Sequence, residues 1–474
     1  MVAPRFRSTS PGAARTVQPM SPVQSLRTEA FALRAAQRMD EAATAFAEAA
    51  AQAPADAQLR FALAQIQYER GLPAAELFAE AWRAAPDNLD AARNRALALV
   101  SEGQVEAAAD LLTDLLRQHP GWLEGHKALA TLNWTHRDQA GFADHYAAAL
   151  AAEPHNTGLW LAWFRALAQV RDWEGAEVVL DKSERALGRT PEIVAARLFC
   201  AVECGGDAAA LLAETASYRG DVVSLCRIRH ALRSGDVARA EVEAVPLLSG
   251  PSAALYWPYL SLCWRLTGDP RWEWLDRPGE LIAEVDAGLS RSELAELAEV
   301  LRSLHTAQAP YGEQSVRGGT QTDRSVLLRH EPVLQRTRAA LLDAVRGYAD
   351  ALPPPDPRHP LLSAPRGDLL IEGSWSVRLE AQGYNVPHTH AMGWLSTAFY
   401  VSLPSPAAMG ASPAGHIAFG SPPAELGLDL APYRTIAPQV GHLAIFPSTT
   451  WHSTVPFADG ERLVIAFDVK LPRA

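Results

Sequence analysis

Four apolar triplets of one form recur early in the chain: Ala42, Phe46 and Ala49; Ala74, Phe78 and Ala81; Ala108, Leu112 and Leu115; Phe142, Tyr146 and Ala149. Steps of four and three residues place each triplet on one helix face. A proline follows five residues later, at Pro54, Pro86, Pro120 and Pro154, so the unit repeats every 32 to 34 residues, and Pro191 follows at 37. Proline breaks a helical ladder but is tolerated at a helix start, so each one marks the junction between two helices. The spacing predicts helix pairs stacked as a solenoid, with the apolar positions as core and function on the concave surface. Trp134, Trp160 and Trp163 belong either to a peptide groove on that surface or to the core. The pattern fades after Pro191, but the segment to about residue 305 stays rich in Ala and Leu and reads as helical.

From Pro310 the texture changes. PYGEQSVRGGTQT has no helical period, and its Arg317, Gly318, Gly319 and Thr320 form a polar loop that either covers a site or makes a structural turn. A helix is predicted from Glu331 to Ala351, stopped by PPPDPRHP. Then come DLLIEGS, WSVRLEAQ, WLSTAFYVSL, GHIAFG, HLAIFP and ERLVIAFDV, short β-rich runs with Gly/Pro punctuation. Such a series predicts a sandwich or jelly roll. In one run Trp375, Val377 and Leu379 share a face that should pack on a core. Ser376, Arg378 and Glu380 share the other, which should meet water or a polar site.

Composition narrows the function. The 474 residues carry 54 acids against 43 bases, a formal charge of -11, which disfavours nucleic-acid binding. Apolar residues at 48% supply ample cores, and the length suggests several domains. Cys200, Cys204, Cys226 and Cys263 are too few for a disulfide scaffold and read as small buried core residues in a reducing cytoplasm. No apolar run is long enough to span a membrane. The N-terminal stretch lacks the apolar region of a secretory signal and reads as a loose arm over 1–24.

Two segments carry candidate chemistry. In GYNVPHTHAMGW, His388 and His390 are two residues apart, so on a strand both would point to one side and reach one metal ion; alternatively Pro387 marks a break and both sit in an exposed loop. In WHSTVPFADGERLVIAFD, His452 precedes Arg462, with Asp459 and Gly460 predicted to turn the chain so that both lie on neighbouring strands. Taken in isolation, Arg462 reads first as an ion-pair partner of Glu461 or Asp468.

The helix pairs resemble tetratricopeptide repeats (TPR). The β region resembles the Fe(II)/2-oxoglutarate-dependent oxygenases, and more closely a bacterial group of such oxygenases with N-terminal tetratricopeptide repeats. QSVRGGTQT, SWSVRL, the His-x-His followed by GWLSTAFYVSLP, LAIFPS, WHSTVPF and RLVIAFD carry that likeness. The resemblance implies an α+β multidomain chain: a TPR solenoid over 25–305 and a double-stranded β-helix (jelly-roll) oxygenase domain over 310–474. It implies Fe(II) held by His388, His390 and His452, with 2-oxoglutarate and O2 as cosubstrates and Arg462 on the far carboxylate. Arg378 and Tyr400 are assigned as further cosubstrate contacts from their nearness in sequence. His390 stands where the wider superfamily has a carboxylate. No catalytic side chain is expected beyond these. The implied activity is a dioxygenase hydroxylating a peptide or protein side chain recruited by the repeat groove, with no nucleic acid or membrane partner. The alternatives are a repeat scaffold whose jelly roll binds metal or ligand without turnover, and an oxygenase of small molecules whose repeats only assemble partners.

Overall fold

The computed structural model describes residues 20–312 and 314–472; most of the expected 1–24 arm lies outside them. Helices fill the chain from Pro22 to Asp276. All four apolar triplets are buried. The prolines fall between helices, and two residues after three of them a side chain caps the next helix. Asp56 accepts from Gln58 N and Leu59 N, Asn88 from Asp90 N and Ala91 N, and Asn156 from Leu159 N. After Pro120 the corresponding residue is Trp122, which makes no such cap. Trp160 is buried, while Trp134 and Trp163 are half-buried against the same cluster. Cys200, Cys226 and Cys263 are buried as expected, but Cys204 is exposed, because it ends its helix beside Gly205. Among the described residues no helix is long and apolar enough to cross a membrane.

Among the described residues nine strands follow: β1 (Ala283–Asp286), β2 (Val316–Gln321), β3 (Ile371–Asn385), β4 (Gly393–Ser402), β5 (Ile417–Phe419), β6 (Arg434–Ile436), β7 (His442–Pro447), β8 (His452–Thr454) and β9 (Arg462–Lys470). They form a six-stranded antiparallel sheet of order β1-β7-β4-β9-β3-β2 and a three-stranded one of order β6-β5-β8. The period of two in β9 sends Leu463, Ile465, Phe467 and Val469 into a core shared with the helices Arg291–Leu304 and Pro332–Ala351. Arg462, Val464, Ala466 and Asp468 take the other face.

Three features differ from the sequence reading. First, β1 pairs with β7, and Leu294, Leu297 and Leu301 pack on the large sheet. Residues 283–304 therefore belong with the sheet rather than with the repeats. A four-residue edge strand with Glu284 and Asp286 carries little apolar signal, so its pairing is set by tertiary contact. A fragment beginning at residue 310 would lose this edge and its covering helix. It is expected to show no cooperative urea transition, whereas a fragment beginning at residue 279 should show one.

Second, RGGTQ is not a loop but part of β2, hydrogen-bonded to β3 with a register shift between Arg317 and Gly319. A Cβ on Gly319 would lie 2.2 Å from Arg378 O, which explains the bare backbone there. Third, the faces of β3 are used differently. Val377 and Leu379 pack with Val316 and Phe457, but half-buried Trp375 and Val377 also line a cavity. Ser376, on the polar face, is fully buried and lies 2.9 Å from His305 Nε2, whose Nδ1 is 2.8 Å from Thr320 Oγ1.

The helices and sheets are tied together. Gln37, buried and at φ 59°, donates from Nε2 to Ile371 O (2.6 Å) and accepts from Ile371 N (3.1 Å), completing the backbone bonding at the start of β3. Trp134 Nε1 donates to Pro310 O (2.9 Å), and Trp451 Nε1 to Pro258 O (3.0 Å).

Candidate metal centre

β3 ends at Asn385, and Pro387, which has no N–H to donate, prevents the ladder from continuing. His388 and His390 therefore sit in an extended connection, not on a strand as expected. Two anchors keep them aligned. His388 and His452 exchange backbone hydrogen bonds of 3.0 and 3.1 Å, and His390 N donates to Ser448 O at 2.9 Å. The connection thus retains the two-residue alternation without belonging to a sheet.

The three imidazoles converge, with one nitrogen from each within 4.8 Å of the others. Their ring centroids are 4.2 to 5.1 Å apart. Each Nδ1 is already engaged. That of His388 is 2.7 Å from Val386 O, that of His452 is 3.0 Å from Thr450 O, and that of His390 is 2.7 and 2.8 Å from the two oxygens of Asp468. Carbonyls and carboxylates only accept, so each Nδ1 carries a proton and Nε2 is the nitrogen left for a metal. Burial pushes the His388 pKa down to about 3 and that of His452 well below its ordinary value, so both rings are neutral at pH 7. Neutral, oriented imidazoles with outer hydrogen-bond partners are the donor set a divalent transition metal takes. The residues fit a metal. Ser315 Oγ, held by Asn385 Nδ2 at 2.8 Å, lies 3.3 Å from His388 Nε2.

Arg462 lines the same cavity as the histidines. It is only 3% exposed, and its guanidinium lies 5.1 Å from the ring centroid of Tyr400. Its Nη1 donates to Thr454 Oγ1 at 3.3 Å, its Nε has no partner, and no carboxylate among the described residues pairs with it. Burial lowers its pKa, opposed by Tyr400. The expected hairpin does not form: β8 is in the small sheet and β9 in the large one, so His452 and Arg462 meet across the cavity. Tyr400 is wholly buried beneath the guanidinium as its platform. Arg378 is elsewhere. Its Nε donates to Glu461 at 2.7 Å, Arg302 holds the other oxygen at 2.9 Å, and Arg378 is absent from the cavity wall. It lies on the opposite face of β3 from Trp375, so its nearness in sequence misleads.

In the sequence Asp468 reads only as a possible partner of Arg462. The alternation of β9 could have placed it beside the site, since Arg462, Val464, Ala466 and Asp468 share a face. The cavity has a volume of about 940 Å³. Its outer wall comes from the repeats, where Phe164, Trp173 and Phe199 cluster with ring centroids 6.3 to 6.4 Å apart.

Residues 373–468 match the family described as "Putative 2OG-Fe(II) oxygenase", and residues 69–132 match a tetratricopeptide repeat family. No curated protein matches the chain. Among solved structures, a tetratricopeptide repeat protein from Parabacteroides merdae is similar at 16% identity and a TM-score of 0.32, over 51% of this chain and 98% of that one. A viral collagen prolyl hydroxylase from Paramecium bursaria Chlorella virus-1, solved as a 2OG complex, shares 14% identity at a TM-score of 0.28, over 41% of this chain and 98% of that one. A prolyl-4-hydroxylase from Pseudomonas putida shares 15% identity at a TM-score of 0.28, over 41% and 94%. The two family matches, one on the helical region and one on the sheets that carry the histidines, make this a two-domain protein with an N-terminal TPR-like region and a C-terminal 2OG-Fe(II) oxygenase-like domain.

Proposed function

We propose that the chain is an Fe(II)/2-oxoglutarate-dependent dioxygenase that hydroxylates a peptide or protein side chain presented by the helical array. The observation that carries this reading is the pairing, in one cavity, of three converging imidazoles with a buried arginine that has no anionic partner among the described residues. His388, His390 and His452 would hold the iron through Nε2. Arg462 would bind the distal carboxylate of 2-oxoglutarate, since a guanidinium forks onto a carboxylate. The bound iron and cosubstrates would supply the oxidising power, while the chain orients them and keeps water out. Trp375, 5.4 Å from the His390 ring, closes one side. The aromatic cluster on the repeats suits an apolar portion of a polypeptide entering from that side.

In this reading the two sheets form the halves of a jelly roll. The oxygenase unit begins near Leu281 and runs to 474, and the repeats occupy 25–276. The chain works in the cytoplasm, in keeping with its free cysteines.

The test is anaerobic loading with Fe(II), then addition of 2-oxoglutarate, oxygen and cell extract. Succinate should form, and a cell protein should gain one oxygen atom by mass spectrometry. Metal binding without succinate under any of these conditions would favour a non-catalytic scaffold.

A further inference from the structure

β9 carries two buried charged side chains, Arg462 and Asp468. Asp468 is 7% exposed, and among the described residues no Lys or Arg pairs with it. Both its oxygens face His390 Nδ1, at 2.7 and 2.8 Å, and Ser396 Oγ–H donates to Oδ1 at 2.6 Å. Ser448 Oγ lies 2.9 Å from Ser396 Oγ and steadies that hydroxyl. At the other end of the same face stands Arg462, also buried and, among the described residues, without an ionic partner. Six residues of strand separate their backbones by roughly 20 Å, so neither neutralises the other. A buried carboxylate is costly unless a positive charge answers it. Among the described residues, a positive charge can reach it only from the His390 side, as a proton on that ring or as a cation held at its far nitrogen.

We propose that Asp468 is a positioning residue of the metal centre. It fixes the His390 tautomer and, through that ring, supplies the negative charge that three histidines lack. The arrangement moves the carboxylate of a His-x-Asp site one ring outward instead of deleting it. Hydrogen bonding to a carboxylate raises the basicity of a ligating imidazole and strengthens its hold on a metal. The same charge opposes the binding of a dianion at the metal, which Arg462 offsets from the other end of the strand.

This rests on the metal-site reading above, and the test separates the two. Co(II) would be titrated anaerobically into the full-length chain and its variants, followed by 2-oxoglutarate into the Co(II)-loaded protein. Asp468→Asn keeps shape and acceptor but removes the charge. It should weaken Co(II) binding by about 10–100-fold, leave the visible absorption bands in place, and tighten 2-oxoglutarate binding on the loaded protein by about threefold or more. A merely structural residue would weaken both ligands together and shift the bands; that result, or unchanged Co(II) affinity, overturns the proposal. His390→Asp with Asp468→Asn moves the charge back to the inner position and should recover Co(II) affinity to within about threefold of the natural chain. A double variant that binds as poorly as a metal-ligand deletion overturns it as well. Failure of the unaltered chain to bind Co(II) would instead remove the metal-site reading itself.

Discussion

Arg462→Met should make the cosubstrate-free protein more stable while abolishing its response to 2-oxoglutarate. The guanidinium is buried, lies over Tyr400, and has no carboxylate among the described residues. An isolated charge in such a place opposes folding, and apolar replacement of buried charged groups commonly gains about 1–4 kcal/mol. Methionine fills a similar length without the charge. The midpoint of urea unfolding should therefore rise. Loss of a buried charge-assisted contact should cost the cosubstrate roughly 2–5 kcal/mol of binding, hence at least about 30-fold in affinity. The stabilisation that 2-oxoglutarate gives the metal-loaded chain should then vanish. A variant that is less stable and still binds 2-oxoglutarate normally would place the anchor elsewhere. Arg378 would not inherit the role, because Glu461 already holds it.

His452→Ala should lower metal affinity by more than about 100-fold, beyond the effect expected of an outer hydrogen-bond partner. Its backbone exchange with His388 survives the substitution, so the loss would report the missing imidazole and not a collapsed connection. His388→Ala should behave alike. His390→Ala carries the finer question. If its Nε2 ligates, the loss should match the other two; if water holds that position, metal affinity should stay nearly intact. Calorimetric metal titration of the three variants under anaerobic conditions gives the ranking.

The helical array was legible because its signal is local. Each triplet and its proline lie within a dozen residues, and the cap two residues after the proline is a side-chain choice visible in the sequence. The chemistry-bearing residues were legible for a different reason: His388, His390, His452 and Arg462 fall in blocks with a recognisable order. What escaped depended on pairing between distant segments. The strand at Ala283–Asp286 has too few apolar residues to declare itself. RGGTQ became a strand only through β3, which meets it so closely that Gly319 has no room for a side chain. The predicted hairpin failed because a turn at Asp459–Gly460 says nothing about which sheet receives each arm. Asp468 was within reach, since strand parity alone puts it with Arg462, but its partner lies 78 residues back at His390.

The hydrogen bonds of Gln37 set a clock on biosynthesis. Its partner, Ile371, lies 334 residues further along the chain. At a ribosomal rate of about 5–20 residues per second, Gln37 is made roughly 15–70 s before the strand that satisfies its amide. Until Ile371 is made, the Gln37 amide has only solvent or nearby groups to bond.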